Sequence, residues 1–248
     1  MGILKTITEE YFGETVREED IINIEGLDVE IVSFTDNNGN IYRRGYKPKD
    51  KNNLKKLLEK MIKVRGDEGD FNDIDTSDIE DMKSLFENNE TFNGDISGWS
   101  VSSVEDMSYM FKDAVSFNQS ICNWDVSNVK NMKYMFSDAK SFNQPIGDWK
   151  VLKVTNLSGM FLNAESFNQP IGDWKVLKVT NLSGMFLNAE SFNQPIGKWV
   201  VSRVKNMSHM FENAKSFNQD LSKWNLNGKY TASMFDNCPI KDEYKPKM

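Results

Sequence analysis

One sequence unit fills residues 76–100 and recurs at 101–125, 126–150, 151–175, 176–200 and 201–225, and no residue is inserted or lost between copies. Its clearest form runs from Val126 to Lys150, with Val126, Val129, Met132, Met135, Phe136, Ala139, Phe142, Ile146 and Trp149 as the apolar marks. A strict period of this size is the mark of a solenoid, in which each unit is one coil that cannot bury its apolar face alone. The period also constrains function. Stacked coils present rows of equivalent side chains, which suit the binding of an extended surface. Catalysis needs a few unlike groups converging on one point, so the pattern favours an interaction protein.

Each unit reads in two halves. Val126, Val129, Met132, Met135 and Phe136 fall at threes and fours, which predicts a short helix or tight turns on one buried stripe. Asn131 and its counterparts Asp106, Asn156, Asn181 and Asn206 are placed to cap a helix ending near Ala139. In the other half, Ile146, Trp149 and Val151 have the spacing of a leucine-rich-repeat strand, with Trp149 and Val151 inward and Lys150 outward. Strand-like stacking at ~4.8 Å per coil gives a rod of roughly 30 Å. The predicted fold class is therefore an α/β solenoid.

Several columns stay nearly constant from coil to coil. The six tryptophans (99, 124, 149, 174, 199, 224) hold one position, and phenylalanines hold two more, starting at Phe86 and Phe92. An aromatic row can serve as a stacking platform for sugars or bases. A continuous core is the favoured reading, because each Trp buries ~150–250 Å² and the coils need that area. The Asn after each second-row Phe (Asn93, Asn118, Asn143, Asn168, Asn193, Asn218) invites a metal or glycan reading. An internal ladder satisfying backbone groups is preferred.

The flanks differ, as the ends of a coil stack must. Residues 1–66 are read as an N-terminal cap. Within it, residues 1–20 are acidic, and residues 27–46 form a hairpin around the turn Asn37-Asn38-Gly39-Asn40. Asp50 caps a helix over 51–65 whose apolar residues Leu54, Leu57, Leu58, Met61 and Ile62 lie on the first coil, and Gly66 ends it. The repeat region is 67–240, with partial repeats at both ends. The last of these has slipped register by one residue, and a polar tail follows over 241–248.

Little in the chain supports chemistry. There is one histidine, His209, and two cysteines, Cys122 and Cys238, with no metal-ligand spacing among them. No phosphate loop and no nucleophilic triad can be assembled, and no cofactor is expected. Five N-x-S/T sequons (Asn89, Asn118, Asn156, Asn181, Asn206) arise mostly from the repeat itself. A net charge of −7 argues against a nucleic-acid partner. The stretch from Arg43 to Arg65 is nonetheless basic, with ten Lys/Arg against Asp50 and Glu59. It could meet an anionic partner, although such a run is more often a solvated helix face. No apolar run approaches a membrane span. Gly2 with Thr6 fits a short myristoylation pattern of low specificity.

The outward rows beside each tryptophan vary while the core rows do not. Before Trp stand Gly98, Asn123, Asp148, Asp173, Lys198 and Lys223; after it stand Ser100, Asp125, Lys150, Lys175, Val200 and Asn225. Two residues further on, Leu152 and Leu177 replace Ser102 and Ser127. A recognition face of this kind is expected to use Asp125, Asp148, Lys150, Leu152, Asp173, Lys175, Leu177, Lys198, Val200 and Lys223. Residues 151–173 repeat as 176–198 with one difference, Asp173 against Lys198, as after a duplication.

The unit Val-Ser-Asn-Val-x-Asn-Met-x-x-Met-Phe-x-x-Ala-x-x-Phe-Asn-Gln-x-Ile-x-x-Trp over 126–149 closely resembles the repeat of the BspA-like leucine-rich-repeat surface proteins, known from mycoplasmas, Listeria, Brachyspira and other bacteria. The lead-in from Tyr46 through Asp73-Ile-Asp-Thr-Ser is similar too, so the resemblance covers about 46–240. It implies a right-handed leucine-rich-repeat-like solenoid without enzymatic activity. It also implies an adhesion-type surface role, with a host matrix or plasma protein, or a glycan, as partner. No signal peptide or lipoprotein cysteine is recognised at the start. Location is therefore an open expectation: cell surface or secreted by resemblance, cytoplasmic by that absence. The cytoplasmic alternative is an intracellular scaffold or recognition protein that uses the basic 43–65 segment.

Overall fold

Hydrogen bonds that join each unit to the next organise the chain. The computed structural model describes residues 24–35 and 41–246. The acidic stretch 1–20, Gly2 and the turn 37–40 lie outside the described residues, as do the side chains of Phe34, Ile41, Tyr42, Arg43 and Arg44.

In the unit that starts at Val126, the backbone N–H groups of Met132, Tyr134, Phe136 and Asp138 donate to Asn156, Ser158, Met160 and Leu162 of the following unit, at 3.1, 2.9, 2.9 and 2.7 Å. Lys130 N–H donates the other way, to Glu105 O at 2.8 Å. Parallel bridges run from Asp81 to Asp106, Asn131, Asn156, Asn181, Asn206 and Tyr230 in turn. The units are thus stacked coils in fixed register.

This ladder selects tight turns over the helix in one half of the unit and overturns the expected strand in the other. No helix spans Asn131 to Ala139; the segment is a run of turns. Met135, Ser137 and Ala139 donate to the carbonyls three residues back, Met132, Tyr134 and Phe136, each at 3.2 Å. The N–H groups between them are committed to the neighbouring coil and cannot make i→i−4 bonds. Tyr134 and Asp138 also take positive φ of 54° and 60°, which no helix tolerates. Asn131 does accept from a backbone N–H two residues on, that of Lys133 at 3.2 Å, but it caps a turn. Nor is Ile146–Val151 a strand. Trp149 closes a turn on Ile146 O and Val154 closes the next on Val151 O. The expected alternation survives, because Trp149 and Val151 are buried and Lys150 is exposed.

The constant columns form one continuous core. The two phenylalanine rows are fully buried and the tryptophans are almost so. Consecutive rings stack with near-parallel planes, as for Phe136 on Phe161, 5.8 Å apart at 5°. Each indole N–H from Trp99 to Trp199 reaches a carbonyl of the preceding coil, for example Trp174 to Ile146 O at 3.1 Å. The asparagine row is an internal ladder. Asn143 Oδ1 accepts from Asn168 N at 3.0 Å and from Gln169 Nε2 at 3.0 Å. The Asn118 sequon is part of this ladder and its side chain is already bonded.

At the N-terminal end, strands β1 (Val29–Thr35) and β2 (Ile41–Pro48) form an antiparallel hairpin with an irregularity between Phe34 and Thr35. Tyr46 of β2 bridges in parallel to Ile74, which extends the hairpin onto the coils. Helix α1 (Lys51–Arg65) is capped by Asp50, which accepts from Asn53 N, and ends at Gly66 with φ 78°. It buries Leu54, Leu57, Leu58 and Met61 in the same core. Arg65 grips Asp73 through two bonds of 2.7 and 2.6 Å and locks α1 to the first partial repeat. At the other end the register does shorten by one: Phe186 pairs with Met210, Phe211 with Met234. The tail is not simply polar. Lys241 N donates to Asn218 Oδ1, and Leu221 N to Tyr244 O, so residues up to Pro246 fold back on the last coil. A 3-10 turn, Asp242–Tyr244, lies within it.

Two substitutions test this account. Phe161→Ala in mid-stack is expected to cost about 3–5 kcal/mol, the usual loss for a buried aromatic. Asn168→Ala, which strands the backbone N–H of Asn193 and leaves the Gln194 amide only its bond to Asn168 O, is expected to cost about 1–3 kcal/mol. Urea denaturation followed by tryptophan fluorescence measures both.

Candidate functional site

Backbone hydrogen bonds join the coils on one side, and rings pack between them on the other. On the ladder side, direct hydrogen bonds hold them at the usual inter-strand distance of about 4.8 Å. Ring centroids in the Phe86 column are 5.3 to 5.8 Å apart. In the Phe92 column they are 5.9 to 6.1 Å apart, and Trp174 and Trp199 are 6.4 Å apart. The rings thus fill the space between coils on the side away from the ladder.

The variable residues lie beside the tryptophans, where a shallow groove of about 890 Å³ crosses the coils. Its walls repeat from coil to coil: Pro145, Pro170 and Pro195, with Asp220 next in that row; Gly147, Gly172 and Gly197; then Asp148, Asp173, Lys198 and Lys223. The glycines are required by close approach. A Cβ at Gly172 would lie 2.2 Å from Pro195 O, and one at Gly147 2.4 Å from Pro170 O. The prolines bring no N–H to the surface. A second depression beside the groove brings Lys150, Leu152 and Lys175 together with Asp148 and Asp173.

The structure thus gathers seven of the ten expected residues into two adjoining hollows. Leu177 and Val200 lie outside both linings but are strongly exposed, at 44% and 52%, with Leu152 at 49%. Asp125 is also outside them, and its carboxylate accepts from Ser127 N at 3.0 Å. Among the described residues, no ion pair within the chain engages Asp148, Asp173, Lys198 or Lys223.

Sequence reasoning missed a second feature, on the ladder side. Tyr109 and Tyr134 stack at 5.4 Å, with Lys133 Nζ 5.7 and 5.3 Å from their ring centroids. The Tyr134 ring covers Gly159, where a Cβ would lie 2.2 Å from it. The signal was present as a variable row, Ser84, Tyr109, Tyr134, Gly159, Gly184, His209. The helix reading of that half hid it.

Among the described residues no group of three His, Cys, Asp or Glu is placed to hold a metal, and no helix is long and apolar enough to cross a membrane. Both cysteines are free thiols; burial pushes Cys238 up from the ordinary thiol range. A family profile described as "Mycoplasma protein of unknown function, DUF285" matches residues 52–156 and again 144–245. The chain belongs to this family. No curated protein and no solved structure matches it. The DUF285 match takes in α1 and the whole groove.

In this DUF285 chain the Asp125 carboxyl is held below the usual range, chiefly by the Ser127 hydroxyl and then by the Ser127 N–H. A carboxyl depressed by folding adds stability above its unfolded pKa of about 3.9 and loses that contribution as pH falls through the folded value. An NMR titration of the Asp125 carboxyl carbon should therefore give a midpoint below that of an unfolded aspartate. Ser127→Ala should raise the midpoint.

Proposed function

We propose that this chain is a non-enzymatic, protein-binding repeat module of the BspA-like kind, coiled as a right-handed leucine-rich-repeat-like solenoid. In this reading it works as a bacterial surface or secreted adhesion-type protein, and its partner is a host matrix or plasma protein. The tryptophan-side face makes the contact.

The observation that carries the reading is the exposure of Leu152, Leu177 and Val200 beside a groove in which Asp148, Asp173, Lys198 and Lys223 have no ion-pair partner among the described residues. Elsewhere in the same columns the residues are polar, such as Ser102, Ser127 and Ser202. Apolar side chains gathered on one side of a stack that already has a complete core favour contact with another molecule. Constant core columns support the reading from the other direction. They let the surface rows change without cost to folding.

A second reading is supported by α1, whose outer face exposes Lys55, Lys56 and Lys63. There the chain is an intracellular scaffold whose basic helix meets an anionic partner.

The double substitution Leu152→Glu with Leu177→Glu separates the two. Against a panel of immobilised matrix and plasma proteins, binding should fall at least tenfold while the melting temperature stays unchanged. Undiminished binding would remove the tryptophan-side face from the mechanism.

A further inference from the structure

Opposite charges on neighbouring coils can pair across the gap. Lys130 reaches Glu105 of the coil before at 2.6 Å, and Lys140 reaches Glu165 of the coil after at 2.9 Å. In the coils that carry residues 150–203, two columns beside the tryptophans set like charges together instead. Lys175 follows Lys150 in one column, and Lys178 and Arg203 follow Lys153 in the other. All five cations are exposed, and none has an ion-pair partner among the described residues. Lys153 Nζ meets only the neutral Asn128 Oδ1, at 2.6 Å. Like charges on adjacent coils repel, and an anion from outside relieves them.

Leu152 and Leu177 stand between the two columns, and Val200 follows Lys175. All three are among the most exposed large apolar residues of the chain. The equivalent residues of the earlier coils are Ser100, Ser102, Ser103, Asp125, Ser127 and Asn128. Those coils stack just as well, so folding does not require the change to lysine and leucine. Leu152 lines a hollow of about 460 Å³ together with Lys150, Lys153 and Lys175, and with Asp148 and Asp173.

This combination discriminates among anionic partners. A phosphate backbone has no use for exposed leucines, and the chain's net charge of −7 opposes it. A flat anionic bilayer cannot follow a hollow, and it would meet the Asp148 and Asp173 carboxylates there. A protein segment can place an apolar side chain in the hollow and carboxylates beside the ammonium groups.

We propose that the face around Leu152 and Leu177 binds an acidic segment of a partner protein. An apolar side chain of that segment enters the hollow, and flanking carboxylates meet the two cation columns. This rests on the protein-binding reading above and narrows it to an acidic partner. The patch is opposite in sign to the chain as a whole, which orients the approach. Each exposed charge pair is weak and screened by salt, so the contact needs several pairs and the apolar anchor together.

The test uses the full chain and fluorescence anisotropy at low ionic strength. One labelled peptide carries glutamates around a central pair of leucines. A second replaces the leucines by serine, and a third replaces the glutamates by lysine. The wild-type chain should bind the first at least tenfold more tightly than either of the others, and salt should weaken it. Lys153→Glu with Lys178→Glu should weaken that binding at least tenfold. Lys55→Glu with Lys56→Glu, on the outer face of α1, should leave it intact. All four positions are exposed, and an unchanged melting curve confirms folding. Equal binding of the first and second peptides, or an equal loss in the α1 variant, overturns the proposal. So does binding to phosphatidylserine vesicles, without peptide binding, that Lys153→Glu with Lys178→Glu removes. If the peptides fail while capture of a matrix or plasma protein still depends on Leu152 and Leu177, only the acidic-partner inference falls. If neither depends on this face, both readings fall.

Discussion

The register of the inter-coil ladder is the constraint on which everything else depends. Four alternate N–H donors per coil, such as those of Met132, Tyr134, Phe136 and Asp138, meet four carbonyls of the next coil. Inserting or deleting one residue would mispair all of them and leave buried polar groups unmade, at about 1–3 kcal/mol each. This explains why six units pass without a single length change. The ladder also aligns the columns. Once Asn131 lies over Asn156, Phe136 must lie over Phe161, and Asn143 over Asn168. The side-chain bonds along the asparagine row and from the indoles then add to a geometry the backbone has already set. Where the register shortens by one, at Phe211 and Met234, the tryptophan column also ends.

The same ladder shapes the outside. Hydrogen bonding fixes one edge of every coil, whereas stacked rings fill the space away from it, with Trp174 and Trp199 centred 6.4 Å apart. The glycines at 147, 172 and 197 keep the coils close beside the variable charges. The backbone of one coil nearly touches the next there, and a Cβ does not fit.

Core and cap were legible from the sequence because burial reads directly as apolar periodicity. Leu54, Leu57, Leu58 and Met61 sit on α1 as their spacing requires, and every tryptophan is buried. The local backbone was not legible. Three overlapping turns place Met132, Met135, Phe136 and Ala139 inside at the same threes and fours as a helix. What separates the two is positive φ at Tyr134 and Asp138, which a sequence announces only through the residues that tolerate it, Gly and then Asn or Asp. Gly159 and Gly184 hold the position of Tyr134 in the next coils, also at positive φ. That hint was available across the repeats and not within any one of them. The misreading also put the strand on the wrong half. The inter-coil hydrogen bonds lie at 131–138, and the segment around Trp149 turns. The exposure of the variable rows was legible because it follows from the columns beside a buried tryptophan, whatever the backbone does there.

Coil number and surface chemistry are separable in such an architecture. Adding one whole unit adds one coil and disturbs no pairing, since the ladder on either side finds equivalent partners. The two nearly identical stretches, 151–173 and 176–198, fit that rule, and they differ only at Asp173 and Lys198. This one difference falls in the groove, at the step where its charge changes from acidic to basic. The Phe, Trp, Asn and Gly columns are under packing and hydrogen-bond constraint and remain the same in both copies. A solvated wall position has no such constraint. A single substitution there reverses the sign of one wall position while the glycine floor and the core beneath it stay as they were.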